Sequence, residues 1–410
     1  MKGSEGAGEV FIFDFLSHEA MHHAFNESYI RIARAAFPES AIAFYAGEGQ
    51  VRQMKRRVAD LSGVELRPCE TFTVPLGLSR HNPIAGWWAA SRCLQTMART
   101  TSRTKPRLVA VLGVDANLFS VLGHRWPNHS AAPLHMILHS HLGDAMVWRS
   151  RNPVVRAGDF ISRLRRPLPP RVRLIVLELG IKSAITEIAP HLAPAIATLE
   201  HPTLPCEWID KVAPRHSGKL VVAFLGHARR AKGFPAFVEL ARRCARPDLD
   251  FQAIGLASSD TNDLDMSVLS RKPSLAALPR QDYLAALRDA DIVCLPLHSG
   301  AYDFTASGTV SDAISSLKPL LALRNRPLEE MEARYGAIGC LVDTEDQLVH
   351  LLQTIDRNDF SARKTAWVEN LTRIRAGRRP EALARPYSEL AASDDRCREC
   401  SFKYASFGRR

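Results

Sequence analysis

One stretch of sequence decides the fold: Asp291-Ile-Val-Cys-Leu-Pro-Leu297, followed by Tyr302-Asp-Phe-Thr-Ala-Ser-Gly-Thr-Val-Ser-Asp312-Ala-Ile-Ser-Ser-Leu-Lys-Pro-Leu-Leu-Ala322. Its first segment is apolar on both faces, which is typical of a buried parallel strand. The small residues Ser307, Gly308 and Thr309 then predict a turn into a helix. The first amides of a helix have no partner within it, and phosphate oxygens bind well to them.

An acidic residue follows this turn at a sequence spacing that suits a nucleotide-binding site. Asp312 lies three residues after Thr309, so we expect both side chains on one turn of the helix. The acid can then accept hydrogen bonds from ribose hydroxyls while the amides hold phosphates. The stretch therefore predicts either a nucleotide-diphosphate site or a capped structural helix.

The rest of the chain repeats this alternation of short apolar runs and amphipathic segments. Strands are predicted at Val10–Phe15, Ala41–Tyr45, Arg107–Leu112, Leu134–Leu138, Val172–Leu177, Lys219–Gly226, Asp250–Ile254, Ile292–Leu297, Leu320–Leu323 and Gly339–Val342. Helices are predicted at Pro235–Cys244, Gln281–Arg288, Val310–Leu317 and Leu328–Tyr335, from Gln347, and beyond Asp359. Strands that alternate with helices of this length form parallel, doubly wound sheets.

A chain of 410 residues exceeds the size of one hydrophobic core, so two or three domains are expected. Pro202 and Pro205 interrupt regular structure, and the polar stretch after them suits a hinge. The sequence predicts an α/β protein with two Rossmann-like domains, residues 1–205 and 206–375, facing across a cleft, and a basic tail at 376–410. Ligands of such sheets bind at the carboxyl ends of the strands.

Composition limits the classes of partner. The net charge of +11 is concentrated in Arg149–Arg173, and basic residues also surround Trp87 and Trp88. Phe160, Ile161 and Leu164 stand between the arginines of Arg149–Arg173 and are expected to share a surface with them. Such clusters favour binding to an anionic membrane surface or a polyanion, although a solvated face is the plainer explanation.

Eight dispersed cysteines and the absence of a long apolar run predict a cytoplasmic protein with reduced thiols. Cys397 and Cys400 lack the second pair that a zinc site needs.

A glycine and several cations follow the first strand of the second half. Gly226 ends the strand, and Arg229, Arg230 and Lys232 precede Gly233. Glycine permits close approach of backbone, and the cations can neutralise a diphosphate. Neither glycine belongs to a dinucleotide fingerprint or a Walker motif, which argues against a dehydrogenase or a P-loop enzyme. A solvated loop before a helix is the alternative.

The order of these motifs resembles the C-terminal domain of GT-B glycosyltransferases of the group 1, family 4 type. The resemblance covers residues 219 to about 355 and also rests on Leu278-Pro279 and Tyr283–Leu297. It implies that Lys232 and either Arg229 or Arg230 hold the donor diphosphate. Leu278 would then face the nucleotide base, and Asp312 would bind the ribose.

The resemblance is incomplete at one position. The family carries a pair of acids before its helix, and Phe304 stands where the first of them is expected. Asp303 is the nearest acidic neighbour and is therefore the candidate for the donor-sugar contact. The amides of Ser307, Gly308 and Thr309 are expected to replace part of what the missing acid provides.

The N-terminal half offers candidates for the rest of the site. His139 ends a predicted strand, and by resemblance it contacts the donor sugar, with His141 as its substitute. A histidine at a strand end is also commonly structural. His22, His23 and Asn26 follow the first strand and are candidates to bind acceptor hydroxyls. A zinc site is the rival explanation, but no His-Glu-x-x-His pattern supports it.

The resemblance implies transfer of a hexose from a UDP- or GDP-sugar to a saccharide or lipid-linked saccharide, with retention and without a metal or other cofactor. The expected setting is bacterial surface polysaccharide or glycolipid synthesis, peripheral on the inner membrane, with no nucleic-acid partner. One alternative is a nucleotide-sugar epimerase or hydrolase that uses Asp14, Glu19 or Asp115. Another is a catalytically silent nucleotide-sugar or polysaccharide-binding protein, which the replacement at Phe304 suggests.

Overall fold

The computed structural model of the chain describes residues 8–17, 22–71, 83–139, 142–147, 151–152, 156, 159–204, 218–298 and 300–407, without the side chains of 83, 144, 145, 147 and 395–407. The chain divides into two compact units. The first unit comprises Met1–Pro202, Phe304–Ala306 and Arg378–Arg410, and the second comprises Thr203–Asp303 and Ser307–Gly377.

The first unit is built on a parallel sheet. Its described strands are β1 (Val10–Asp14), β2 (Ile42–Ala46), β3 (Val64–Pro68), β4 (Leu108–Leu112), β5 (Leu134–Leu138), β6 (Val172–Val176) and β7 (Ile196–Thr198). The strand order is β3-β2-β1-β4-β5-β6-β7. Val10 of β1 is paired with Ile42 on one side and Leu108 on the other. Every residue of β1 is buried, which fits the apolar run Val10–Phe13 and also encloses Asp14.

Helices cover this sheet. They are α1 (His23–Ala36), α2 (Glu48–Arg57), α3 (Pro83–Thr104), α4 (Ala116–Arg125), α5 (Leu142–Val147), α6 (Phe160–Leu164) and α7 (Leu179–Ile188). Asp115 and Asp159 begin α4 and α6, because each carboxylate accepts a hydrogen bond from an amide of the first turn. These two acids therefore serve as helix caps.

The second unit repeats the plan on a smaller scale. Its described strands are β8 (Leu220–Leu225), β9 (Leu249–Ile254), β10 (Ile292–Leu295), β11 (Leu320–Leu323) and β12 (Gly339–Val342), in the order β12-β11-β10-β8-β9. Its helices are α8 (Phe234–Arg243), α9 (Arg280–Asp289), α10 (Gly308–Ser315), α11 (Arg326–Tyr335), α12 (Glu345–Thr354) and α13 (Arg357–Gly377). Alternate residues of β8 enter the apolar clusters on opposite faces of the sheet.

The C-terminal helix α14 (Pro380–Phe407) packs within the first unit. The Tyr387 hydroxyl lies 2.5 Å from that of Tyr29, and neither residue is exposed. Asp394 accepts from Arg173 Nε at 2.6 Å, and its other oxygen lies 2.9 Å from Nε2 of His135. The segment predicted as a basic tail is thus helical from Pro380 to Phe407, and this helix is buried along one side as far as Asp394.

A buried ion pair anchors the chain just before α14. Arg378 is 2% exposed, and its two terminal nitrogens donate to the two oxygens of Glu178 at 2.8 and 2.7 Å. Glu200 approaches Nε of Arg378 to 3.3 Å. Buried charges are costly unless they are paired, and two carboxylates surround this guanidinium. Loss of Arg378 would therefore leave Glu178 buried without its counterion.

The predicted α/β class with two doubly wound sheets is confirmed, and the predicted strands Leu134–Leu138, Leu320–Leu323 and Gly339–Val342 agree to the residue. The strands β3 and β7 were missed. Glu65 and Arg67 make β3 read as polar because it is a half-exposed edge strand, and β7 has only three residues. Among the described residues, no helix is long and apolar enough to cross a membrane.

One sequence-based expectation about the basic segment is wrong. The apolar residues of Arg149–Arg173 were expected to lie on the surface among the arginines. Phe160 and Leu164 are instead fully buried, because they anchor α6 in the core. Arg163 is partly buried and donates to Ser120 Oγ. Trp148 and Arg149 lie outside the described residues.

Candidate functional site

Three predicted donor-site residues meet at the carboxyl end of β8. Gly226 follows this strand with a φ of +86°, a region that favours glycine. A Cβ atom at this position would lie 2.8 Å from Cγ2 of Thr309 and 3.6 Å from Nζ of Lys232. The glycine therefore lets the segment from Gly226 to Gly233, the cationic loop, approach the start of α10 closely.

Gly233 fixes the other end of this loop. Its φ is +71°, and an added Cβ would lie 2.1 Å from the carbonyl oxygen of Pro296. The segment Arg230–Lys232 forms one 3₁₀ turn, after which α8 begins. The loop is thus held against the chain that follows β10, and Lys232 keeps a defined position.

Two cations lie close together at this point without a bonded anion. Burial lowers the pKa of Lys232, nearby Arg229 lowers it further, and the Asp312 carboxylate opposes both effects. Among the described residues, neither the Lys232 nor the Arg229 side chain forms a hydrogen bond or an ion pair within 4 Å. Like charges at short range repel, so the arrangement favours an external anion.

The structure distinguishes the two arginines that the sequence left open. Arg230 Nε donates to the carbonyl of Asp260 at 2.6 Å, and Arg230 Nη2 binds the Asp263 carboxylate. Its guanidinium is therefore already paired within the protein. Arg229 is exposed and lacks such partners among the described residues, so it is the better candidate to meet a diphosphate.

Sequence reasoning missed His227 in the same loop. Burial lowers the pKa of this imidazole, and Arg229 and Lys232 lower it further. The side chain is therefore neutral near pH 7 and can donate or accept one hydrogen bond beside the cations. Its place after Gly226 gave no signal in the sequence, because a histidine in a loop has many uses.

The N-terminus of α10 faces open space. Apart from its chain neighbours and the backbone of its own helix, no described atom lies within 4 Å of a Cβ built on Gly308, and this residue is exposed. Ser307 precedes the helix, but its side chain caps no amide and instead lies 2.8 Å from Oγ1 of Thr309. The first amides of α10 thus remain available to an anion, next to Lys232.

Asp312 lies within α10 and does not cap it. Its two oxygens accept hydrogen bonds from Arg280 Nη2 and the Tyr283 hydroxyl, each at 2.9 Å. Both donors belong to α9, and neither was predicted as a site residue. Each carboxylate oxygen keeps a further lone pair, so the acid is held in position and can still accept from a ligand hydroxyl.

Two other predicted donor residues have structural partners. Asp303 accepts from the amides of Gly300 and Arg326 at 2.9 and 3.0 Å, which fixes its loop to the start of α11. Each bond uses a different carboxylate oxygen, so Asp303 stabilises the conformation of this loop. Leu278 is partly buried and packs against the apolar cluster beneath α9.

The first unit brings three histidines together beyond the end of β5. His139 is 7% exposed and stacks on Phe25, with ring centroids 3.9 Å apart. The His22 ring meets His139 edge-on at 4.6 Å, and the His201 ring lies 5.7 Å away. The predicted residues His22 and His139 are therefore neighbours, while His141 lies outside the described residues.

His201 directly precedes Pro202 of the predicted hinge. It is 6% exposed, and its Nδ1 lies 3.0 Å from the carbonyl oxygen of Pro202. Burial lowers its pKa to about 4, so the ring is neutral near pH 7. Its Nε2 has no hydrogen-bond partner among the described residues. A carbonyl oxygen only accepts hydrogen bonds, so Nδ1 must carry the single proton of the neutral ring. Nε2 is therefore left as a hydrogen-bond acceptor.

The other candidates after β1 point inward. Asn26 is 1% exposed and donates to Asp14 at 2.6 Å, and His23 is also buried. Asp14 additionally accepts from the amides of Leu16 and Ser17 at 3.2 and 3.0 Å. Asn26 thus supports the loop after β1. Of the acids that the epimerase alternative would use, Asp14 is enclosed and Asp115 caps α4, while Glu19 lies outside the described residues.

Comparison with known proteins identifies the fold. No family model and no curated protein sequence matches the chain. HepE of Anabaena, solved with UDP-glucose, is 14% identical, with a TM-score of 0.62 over 94% of this chain and 99% of that one. A Rickettsia africae glycosyltransferase is 12% identical, with a TM-score of 0.61 over 94% and 98%.

The lipopolysaccharide outer core galactosyltransferase WaaB is also similar, at 13% identity and a TM-score of 0.58 over 94% of this chain and 99% of that one. At such low identities the likeness establishes the fold alone. The two parallel sheets and these neighbours together show that the chain has the GT-B glycosyltransferase fold.

The cationic loop predicts an order of effects on nucleotide binding. Lys232→Ala and Arg229→Ala should each weaken the binding of UDP or GDP by roughly 10- to 100-fold, since each removes a charge-assisted hydrogen bond of about 1.5–3 kcal/mol. Arg230→Ala should have a much smaller effect, because this guanidinium is paired with Asp263. Isothermal titration calorimetry measures all three. Equal losses for Arg229→Ala and Arg230→Ala would refute the assignment of Arg229.

Proposed function

We propose that the protein is a glycosyltransferase that moves a hexose from a UDP- or GDP-sugar to a saccharide or lipid-linked saccharide. One observation carries the proposal: Lys232 and Arg229 lie beside the open N-terminus of α10 without a bonded anion among the described residues. The GT-B fold supports it, and one neighbour was solved with UDP-glucose.

In this proposal the second unit binds the donor. Lys232 and Arg229 neutralise the diphosphate, and the amides of Gly308 and Thr309 donate to its oxygens. Asp312, held by Arg280 and Tyr283, accepts from a ribose hydroxyl. These groups lower the energy of the departing nucleotide because they lie where its negative charge grows. They provide this stabilisation without a divalent cation.

We also propose that transfer occurs with retention. Asp14, at the end of β1, is fully buried and accepts from Asn26 and Ser17. It is therefore unsuited to be a nucleophile. Attack by the acceptor on the face of the departing phosphate, which takes the acceptor proton, needs no enzymic nucleophile. His139 and His22 are then assigned to hydroxyls of the bound sugars.

Measurements of turnover distinguish a transferase from an epimerase and from a silent binding protein. With radiolabelled UDP- and GDP-hexoses, the protein should slowly release UDP or GDP by hydrolysis, and a saccharide acceptor should accelerate the release. Lys232→Ala should lower the rate at least tenfold, since the leaving diphosphate loses a cation. Lys272→Ala, an exposed lysine of the same unit, is the control and should leave the rate unchanged.

Two results would contradict the transferase. An epimerised nucleotide sugar without release of nucleotide would identify the first rival enzyme. Tight binding of a nucleotide sugar with no turnover in the presence of lipid-linked and free saccharides would identify a silent binding protein. Loss of turnover in Lys272→Ala as well would show that the effect of Lys232→Ala is not specific.

We further propose that the protein lies peripherally on the cytoplasmic face of a bacterial inner membrane, where a lipid-linked saccharide is the acceptor. Helix α3 supports this proposal. Ile84, Trp87 and Trp88 share one helical face and are 78%, 43% and 56% exposed. Arg92 lies over the Trp88 ring at 4.8 Å, and Arg125 over the Trp87 ring at 5.4 Å. Exposed tryptophans beside cations suit an interface with anionic lipid.

Co-sedimentation with vesicles tests this surface. The protein should bind phosphatidylglycerol vesicles at low salt and dissociate at about 0.5 M salt, where screening shortens electrostatic interactions. The double change Trp87→Ser/Trp88→Ser should weaken binding several-fold, whereas Leu275→Ser, an exposed leucine of the second unit, should not. Equal binding to neutral phosphatidylcholine vesicles, or none to anionic ones, would refute the membrane proposal.

A further inference from the structure

A cationic cavity lies in the first unit, on residues that the proposed donor site does not use. It has a volume of about 400 Å³ and lies between the strands β2 and β3 and the C-terminal half of α3. Its lining includes Tyr45, Arg67, Arg99, Thr100, Arg103 and Thr104. Three guanidinium groups thus share one small cavity.

Arg67 forms the ordered part of this cavity. Its Nη1 donates to the Tyr45 hydroxyl at 2.7 Å, and its Nε and Nη2 donate to one oxygen of Glu65 at 3.0 and 2.5 Å. The guanidinium also lies over the Tyr45 ring, 5.6 Å from its centroid. These bonds use three of the five N–H donors of Arg67 and hold its guanidinium in position. Two donors remain for a ligand.

Arg99 and Arg103 supply charge that nothing in the described protein neutralises. They lie one turn apart on α3, both are exposed, and neither guanidinium forms a hydrogen bond or an ion pair with a described residue. Like charges at this spacing destabilise a helix. Glu65 is bonded to Arg67, and Glu9 approaches that arginine only to 4.0 Å. The cavity therefore keeps an excess of positive charge.

The shape and the donors define the ligand class. Planar guanidinium forks match the oxygens of phosphate, and several of them can bind one phosphoryl group. The volume exceeds that of inorganic phosphate and lies in the range of small-molecule sites. We propose that this cavity binds the phosphoryl group of an organic phosphate, either a phospholipid head group or a soluble phosphorylated polyol or sugar.

This inference is independent of the proposed sugar transfer. Arg67, Arg99 and Arg103 belong to the first unit, whereas Lys232 and Arg229 belong to the second. Binding to the cavity is measured without turnover and without a nucleotide. Failure of one proposal would thus leave the other unaffected.

Calorimetry with glycerol phosphate at low salt tests the cavity. The wild-type protein should show saturable binding, and Arg99→Gln/Arg103→Gln should weaken it at least tenfold. Arg52→Gln/Arg56→Gln is the matched control, because it removes two exposed arginines at the same spacing from α2 in the same unit. Arg67→Lys keeps the charge but loses the fork, and it should also weaken binding.

The proposal is overturned if wild-type protein shows no saturable binding, or if the two double variants lose affinity equally. Phosphatidylglycerol vesicles then identify the source of the phosphate. For a lipid head group, Arg99→Gln/Arg103→Gln should bind vesicles several-fold more weakly than the control, and glycerol phosphate should compete. For a soluble phosphate, both variants should bind vesicles equally while differing in affinity for glycerol phosphate. Thermal unfolding verifies that all variants are folded.

Discussion

The proposed donor site depends on one electrostatic constraint, which is the repulsion between Lys232 and Arg229 at the carboxyl edge of the second sheet. Burial already disfavours the charged form of Lys232, and the neighbouring guanidinium disfavours it further. Asp312 offsets this only in part, because its carboxylate is bonded to Arg280 and Tyr283. An anion supplied from outside removes the conflict. The fold holds Lys232 in this position, since Gly226 allows its loop to lie against Thr309 of α10.

Much of this arrangement could be predicted from sequence, because the decisive signals are local. Buried parallel strands read as apolar runs, so β5, β11 and β12 were delimited to the residue. Glycines that permit close approach and cations that follow a strand mark the phosphate loop, and the structure brings Gly226, Lys232 and Thr309 together as the motif suggested. The roles of these residues toward a donor stay predictions, since geometry alone does not show a bound sugar.

The rest depends on contacts between distant parts of the chain, which no local pattern encodes. The choice of Arg229 over Arg230 follows from Asp263, more than thirty residues away. The partners of Asp312 lie on a different helix, and α14 is held by Tyr29 and Arg173 in the first half of the chain. Phe160 and Leu164 were misplaced because a short helix between arginines reads as a surface segment until its core contacts are known.

Proton uptake on UDP binding tests the central claim most directly. A diphosphate beside Lys232 must raise its lowered pKa, so in the alkaline range in which Lys232 titrates, wild-type protein should take up protons as UDP binds. Calorimetry in buffers of different ionisation enthalpy measures this uptake, and His227, which titrates at lower pH, does not contribute there. The account predicts uptake in the wild type and none in Lys232→Met. No uptake in the wild type, or equal uptake in the variant, would contradict it.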